Sequence, residues 1–254
     1  MASRVATDLH VFAVPGLPDV IPDADLAALI AGAAARGGRD VAPGDIVVVA
    51  QKIVSKAEGA LVRLDDVVPS PRAREWAAAN GKDPRLVEVV FRESRRIVRM
   101  ERGILIAETH HGFICANAGV DASNVAPGFV TVLPRDPDAS AERLRSALAD
   151  RWQCPVGVIV SDTFGRPWRE GAVNVALGVA GLRPLVDYRG WVDPYGRRLE
   201  ASVTALADEL AGAAEIVMRK TAQTPVAIVR GAGEWCGEGS GRQLVREAGR
   251  DLFR

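Results

Sequence analysis

Cysteine is nearly absent from this 254-residue chain. Cys115, Cys154 and Cys236 are too few and too scattered to build a disulfide framework or a zinc cage. Reduced thiols in a cytoplasmic protein are therefore expected. An excess charge of either sign is missing too. Lys plus Arg and Asp plus Glu number 32 each, giving a net charge of zero. That leaves no basic footprint for nucleic acid and no acidic tail. No apolar run approaches the roughly 18 residues that span a membrane. Asp8 and His10 interrupt any signal-type apolar segment near the start. Neither nucleic acid nor membrane is expected as a partner. Lysine is scarce as well: Lys52, Lys56, Lys82 and Lys220 stand against a large excess of arginine, so each position is worth locating.

What remains is an ordinary globular composition, 48% apolar and 25% charged, long enough for one large domain or two small lobes. Residues 9–14 read as a short strand, followed by a turn at Pro15 to Asp19. The Ala- and Leu-rich stretch 23–36 reads as a helix capped by Asp23 or Asp25. Ile46 to Ala50 is a β-branched apolar run, expected as a buried strand. A helix is expected at 71–80. Residues 84–100 stay ambiguous, since Val87, Val89 and Phe91 alternate while Arg95 and Arg96 break the pattern. Strands at 103–107 and 112–116 flank a His-containing turn. A helix at 140–151 precedes a second buried strand at 156–160. A glycine-rich stretch, 165–190, comes before a helix at 202–220 and a third buried strand at 226–229. This alternation is too irregular for a doubly wound sheet. It predicts an α+β fold with mixed sheets and helices.

Three places combine polar residues and glycine beside apolar strands. In Gly119 to Asn124, Asp121 and Asn124 could offer oxygen ligands to a hard cation, although the same residues suit an Asx-type turn. In Ser161 to Arg166, a buried strand ends in Asp162 and Thr163, a pair suited to magnesium beside nucleotide phosphates. Arg166 and Arg169 could meet phosphate oxygens, but a capping aspartate and solvated arginines fit equally. In Arg230 to Gly241, five glycines could let backbone N–H groups approach phosphate, or could form a surface loop; no Gly-Lys-Ser/Thr follows, so it is no P-loop. His110 and His111 read as a hairpin tip rather than a catalytic pair. No cysteine is assigned as a nucleophile. Trp168, Trp191 and Trp235 lie beside these loops, where ligand stacking and core packing are both open.

Five stretches taken in order carry a resemblance. They are Gly16 to Val20, Gln51 to Gly59, Ala118 to Val125, Ser161 to Arg169 and Asp193-Pro-Tyr-Gly196, with Gly237-Glu-Gly-Ser240 as a closing loop. Together they resemble the coenzyme F420-0:L-glutamate ligase family in its stand-alone form. The resemblance implies one two-lobed catalytic unit over residues 1–254, forming an intertwined homodimer. It implies a GTP-dependent enzyme that adds L-glutamate to coenzyme F420-0 through an acyl phosphate, and then further γ-linked glutamate. By the same resemblance Leu17, Pro18, Asp19, Val20, Gln51, Lys56 and Asn124 would contact GTP. Asp121 and Asp162 would hold one divalent cation (Mg or Mn). Thr163 and Glu238 would hold a second, and a monovalent cation (K) is a further expectation. A ligase for another carboxylate and a non-catalytic GTP-binding regulator remain the alternative readings.

Overall fold

In the computed structural model, which describes residues 8–252, β1 (His10–Ala13) leads to α1 (Leu26–Arg36), β2 (Ile46–Ala50) and α2 (Gln51–Ala57). A second group follows. It comprises β3 (Leu61–Arg63), α3 (Pro71–Asn80), α4 (Pro84–Arg92), β4 (Ser94–Glu101), β5 (Ile104–Thr109), β6 (Ile114–Ala116) and β7 (Phe129–Thr131). The chain then forms α5 (Pro137–Trp152), β8 (Gly157–Arg166), β9 (Arg169–Ala180), β10 (Val186–Asp187), β11 (Val203–Thr204), α6 (Leu206–Met218) and β12 (Val226–Arg230).

The main sheet has the order β1-β12-β2-β8-β9. Only β2 and β8 run parallel; the other neighbours are antiparallel. This is the expected mixed, α+β arrangement. The apolar run of β2 is continuous because both faces of the strand are covered. Val47 and Val49 pack with α1 and α5, while Ile46 and Val48 pack with α6. Fully buried Ile30 of α1 and Leu148 of α5 close the first face; each contributes on the order of 1.5–3 kcal/mol by leaving water. A separate core gathers Ala73 and Ala77 of α3, Val87 and Val90 of α4, Leu105 and Ala107 of β5, and Val130. The segment between α2 and α5 thus builds a second lobe on its own apolar cluster.

Local chemistry explains the helix starts. Asp25, rather than Asp23, caps α1 through Ala28 N. Ser70, Asp83 and Asp136 cap α3, α4 and α5, each followed by proline at the first helical turn. The ambiguous 84–100 stretch divides at Glu93: the β-like alternation belongs to helix α4 and the arginines to β4. The glycine-rich 165–190 stretch contains the 12-residue strand β9, where Gly178 lies so close to Pro137 O that any Cβ would fall 2.0 Å from it, which lets α5 ride against the strand. And α2 was not anticipated, because seven residues carry too little periodicity to read.

Candidate active site at one edge of the main sheet

β2 and β8 are parallel with Ala50 opposite Ser161, and β1 runs in the same direction as β2 because both are antiparallel to β12. All three strands therefore end at the same edge. Three of the motif stretches follow them there: the turn after β1, helix α2 after β2, and Asp162 just past the last parallel pair.

In the first turn, buried Val20 and half-buried Leu17 anchor the backbone in the core and leave Pro18 and Asp19 exposed. Lys56, in the last turn of α2, is buried, and its Nζ lies 2.7 Å from Asp19 Oδ1. Its ammonium is therefore not solvated like that of a surface lysine. Gln51, at the start of the same helix, is buried, and its Oε1 accepts a hydrogen bond from Ser55 Oγ at 2.8 Å. Ser55 Oγ also reaches Val132 O at 2.7 Å, tying α2 to the end of the second lobe.

Asp121 comes from that second lobe, held by backbone hydrogen bonds to Thr131 in both directions. Its carboxylate accepts from Ser123 N at 2.7 Å and meets Lys52 Nζ at 2.7 Å. Burial opposes ionisation of Asp121, but the Lys52 ammonium and the Ser123 donors outweigh it and hold the carboxyl below its ordinary range. Asp162 lies in β8 opposite Val175, past a register shift between Val160 and Ser161. Burial pushes its carboxyl up to about 6; the Asp121 charge adds to the rise, while Thr163 N, Lys220 and Lys52 act against it. The same edge buries the Ser161 hydroxyl without a hydrogen-bond partner among the described residues. Two carboxylates from different lobes, one of them short of counter-charge, suit a hard divalent cation. Among the described residues no group of three or more His, Cys, Asp or Glu forms a fuller cage.

Thr163 Oγ1 donates to Asn174 Oδ1 at 2.7 Å and contacts Lys220 Nζ. Asn174 Nδ2 in turn donates to Glu215 Oε2 at 3.0 Å. This wall of β9 and of α6 with the residue segment after it was missed from sequence; the scarcity of lysine was its only signal. Cys115 on β6 completes the surroundings. Burial, with the Asp162 charge adding, pushes its thiol up to about 12, so it is no nucleophile.

Other expected residues fall elsewhere. Glu238 does not join Thr163 within the chain. β12 ends beside the start of β2, so the loop carrying Glu238 leaves from the opposite edge, where Gly239 packs on Leu182 O and Gly237 N bonds Gly181 O. Those glycines serve close backbone packing rather than a phosphate cradle. Arg166 donates to the Glu170 and Gly171 carbonyls across its hairpin, while Arg169 is exposed. Asn124 is exposed with a φ of 55°, in the turn beyond Asp121. Asp193 closes an exposed turn by accepting from Tyr195 N and Arg197 N. His110 and His111 do occupy a hairpin turn, but His111 is half-buried against Pro134 O and Phe113 rather than at a free tip.

The F420-0:Gamma-glutamyl ligase family model matches residues 16–231. The chain is 47% identical over 249 residues to the Coenzyme F420:L-glutamate ligase of Methanothermobacter thermautotrophicus, covering 97% of this chain and 99% of that one. It is 47% identical over 251 residues to the Methanopyrus kandleri protein of the same name, covering 97% and 98%. With the Archaeoglobus fulgidus protein the identity is 39% over 247 residues, covering 97% and 96%.

Proposed function

Because the chain belongs to the F420-0:Gamma-glutamyl ligase family, we propose that it forms an amide between L-glutamate and coenzyme F420-0 at the expense of GTP. The observation that carries this reading is the meeting of Asp121 and Asp162 from two lobes at the edge where Lys56 and Asp19 also converge. The terminal phosphoryl group of GTP passes to the carboxylate of F420-0, releasing GDP and forming an acyl phosphate. The amine of L-glutamate then attacks the acyl carbon, and inorganic phosphate leaves. A second addition uses a carboxylate of the glutamate just installed, giving a γ-link.

Lys56, held by Asp19 and shielded from water, supplies a compact positive charge for phosphate oxygens. The turn at Leu17 to Val20 and the segment at Asn124 position the nucleotide beside it. Asp121, Asp162 and Thr163 would hold the divalent cations, Mg or Mn, whose contribution is to neutralise converging phosphate and carboxylate oxygens. A monovalent cation such as K is a further component. Glu238 would serve a second cation only if another copy of the chain presented it, which fits a homodimer. Residues 1–254 would act as one catalytic unit in the cytoplasm; residues 1–7 and 253–254 lie outside the described structure. No helix among the described residues is long and apolar enough to cross a membrane.

The test is mass spectrometry of F420-0 incubated with the protein, GTP, Mg or Mn, and L-glutamate. Mass should rise by glutamate units only when all components are present, and competing carboxylate acceptors should react less. No mass increase with authentic F420-0 would refute the reading, and GTP turnover that ignores acceptor and glutamate would count equally against it.

A further inference from the structure

A cavity of about 420 Å³ opens where the β5–β6 hairpin meets the start of α5 and plays no part in the site described above. Its size falls within the roughly 300–1,000 Å³ of small-ligand pockets. It is lined by His111 and Phe113 of the β5–β6 hairpin, Arg135 and Asp138 at the start of α5, Leu177 of β9, and Arg242.

The fold places it close to the reacting edge. Phe113 packs edge-on against Phe164, with ring centroids 6.3 Å apart, and Phe164 is two residues along β8 from Asp162. Leu177 is two residues along β9 from Val175, the partner of Asp162. Two strand residues span about 7 Å. A ligand in the cavity would thus have one end near Asp162.

The lining carries both signs of charge in a particular state of satisfaction. Arg135 makes no ion pair among the described residues. Arg242, three-quarters exposed, pairs with Asp136 at 3.0 Å and more loosely with Asp138 at 3.9 Å, solvent-screened contacts that a ligand carboxylate can replace. Arg135 is therefore free to meet a planar carboxylate two-fold, and Arg242 can exchange its present carboxylate partners for those of a ligand. Acceptors sit beside them. His111 Nε2 lies 3.0 Å from Pro134 O and 3.1 Å from Arg135 O, so it bears the proton. The other ring nitrogen, Nδ1, is then an acceptor, and it is buried without a partner. Asp138 already accepts from Val179 N, Gly241 N and Ser240 Oγ, and its remaining capacity faces Arg242, so it takes a ligand donor once Arg242 turns to the ligand. One unpaired and one exchangeable guanidinium for carboxylates, next to two acceptors for an ammonium, complement an amino acid with an acidic side chain. A phosphate diester or a purely anionic ligand would leave the acceptors unanswered.

We propose that this cavity binds the amino-acid substrate, an acidic α-amino acid such as L-glutamate, with Arg135 and Arg242 engaging its carboxylates. The assignment rests on the ligase reading for its place in the reaction, but binding itself is measured without turnover. L-Glutamate is titrated calorimetrically into the parent protein and into Arg135→Gln/Arg242→Gln, with Mg and a non-hydrolysable GTP analogue present. F420-0 is titrated in parallel. Arg135→Gln alone, which breaks no ion pair among the described residues, serves if the double variant fails to fold.

Binding of L-glutamate to the parent, weakened about tenfold or more in the variant, with F420-0 affinity unchanged, is the expected result. Equal glutamate affinity in parent and variant would overturn the proposal. So would a loss confined to F420-0, or a parent protein that does not bind glutamate. Failure of the ligase reading would appear separately, as absent product mass with glutamate binding intact.

Discussion

Individual side chains in this protein act through how they are buried, and two of them make testable cases. Asp208, at the start of α6, accepts a hydrogen bond from Ala176 N at 2.8 Å. Burial raises its carboxyl above the ordinary value of 3.8, with Glu209 adding and the Ala176 bond opposing. The folded protein therefore holds this proton at pH values where the unfolded chain has lost it. Stability must fall as pH rises from the ordinary value through the raised one, and the loss persists at neutral pH. Asp208→Asn keeps an acceptor for Ala176 and removes the titration. Its stability relative to the parent should climb across that window in denaturant unfolding; a difference independent of pH would refute the account. The second case is Lys56. Lys56→Met keeps the buried stem and removes the charge. GTP affinity should fall roughly ten- to hundredfold, the worth of one charge-assisted hydrogen bond, with metal present. Calorimetric titration returning the parent affinity would mean that Lys56 serves Asp19 alone. The importance of Lys56 could be suspected from lysine scarcity and the motif around it, but its burial could not, because the short helix carrying it leaves no periodic trace.

At the scale of elements, the site depends on strands that outlast their sheet. β8 and β9 stay paired through Asp162 and Thr163 to the Arg166–Arg169 end, beyond the parallel contact with β2 that ends at Ser161. The register shift at Val160 and Ser161 re-aims the side chains that follow, as bulges beside functional sites commonly do. What fixes β9 in turn is α5. Gly178→Ala would place a methyl 2.0 Å from Pro137 O, and neither strand nor capped helix start can retreat easily. A cost on the order of 1–3 kcal/mol is expected from denaturant midpoints. The same variant should weaken glutamate binding if the cavity at the start of α5 is the amino-acid site; unchanged stability would show that α5 is not seated on the strand as described.

At the scale of the whole molecule, the two aspartates belong to separate hydrophobic cores, Asp121 beside β7 in the second lobe and Asp162 in the main sheet. A divalent cation shared between them would join the lobes and stabilise the folded state by mass action. Mg or Mn should therefore raise the melting temperature of the parent protein. Asp162→Asn should abolish most of that rise while lowering turnover by several orders of magnitude, with the fold retained in circular dichroism. A variant that responds to the cation like the parent, or turns over at the parent rate, would remove Asp162 from the site.

Sequence alone determined the elements whose burial is complete or whose ends are marked chemically. The apolar run Ile46–Ala50, lying between α1 and α5 on one face and α6 on the other, could be read as a buried strand because both faces had to be apolar. The helix over 71–80 announced itself by Ser70 and Pro71. The ordered motifs marked the family, and they pointed to Asp121 and Asp162 as a pair. Tertiary structure decided everything that depends on which sheet edge a loop leaves from. The family resemblance grouped Glu238 with Thr163, yet the antiparallel course of β12 sends the Glu238 loop to the far edge. Asn174, Glu215 and Lys220 are distant in sequence from Thr163 and carry no shared motif, so only strand pairing and the packing of α6 bring them together. The cavity at His111, Arg135 and Arg242 arises the same way, from a hairpin of one lobe closing over the first turn of a helix in the other. Local pattern encodes burial and caps because those are properties of neighbouring residues; the meeting of distant side chains is a property of topology.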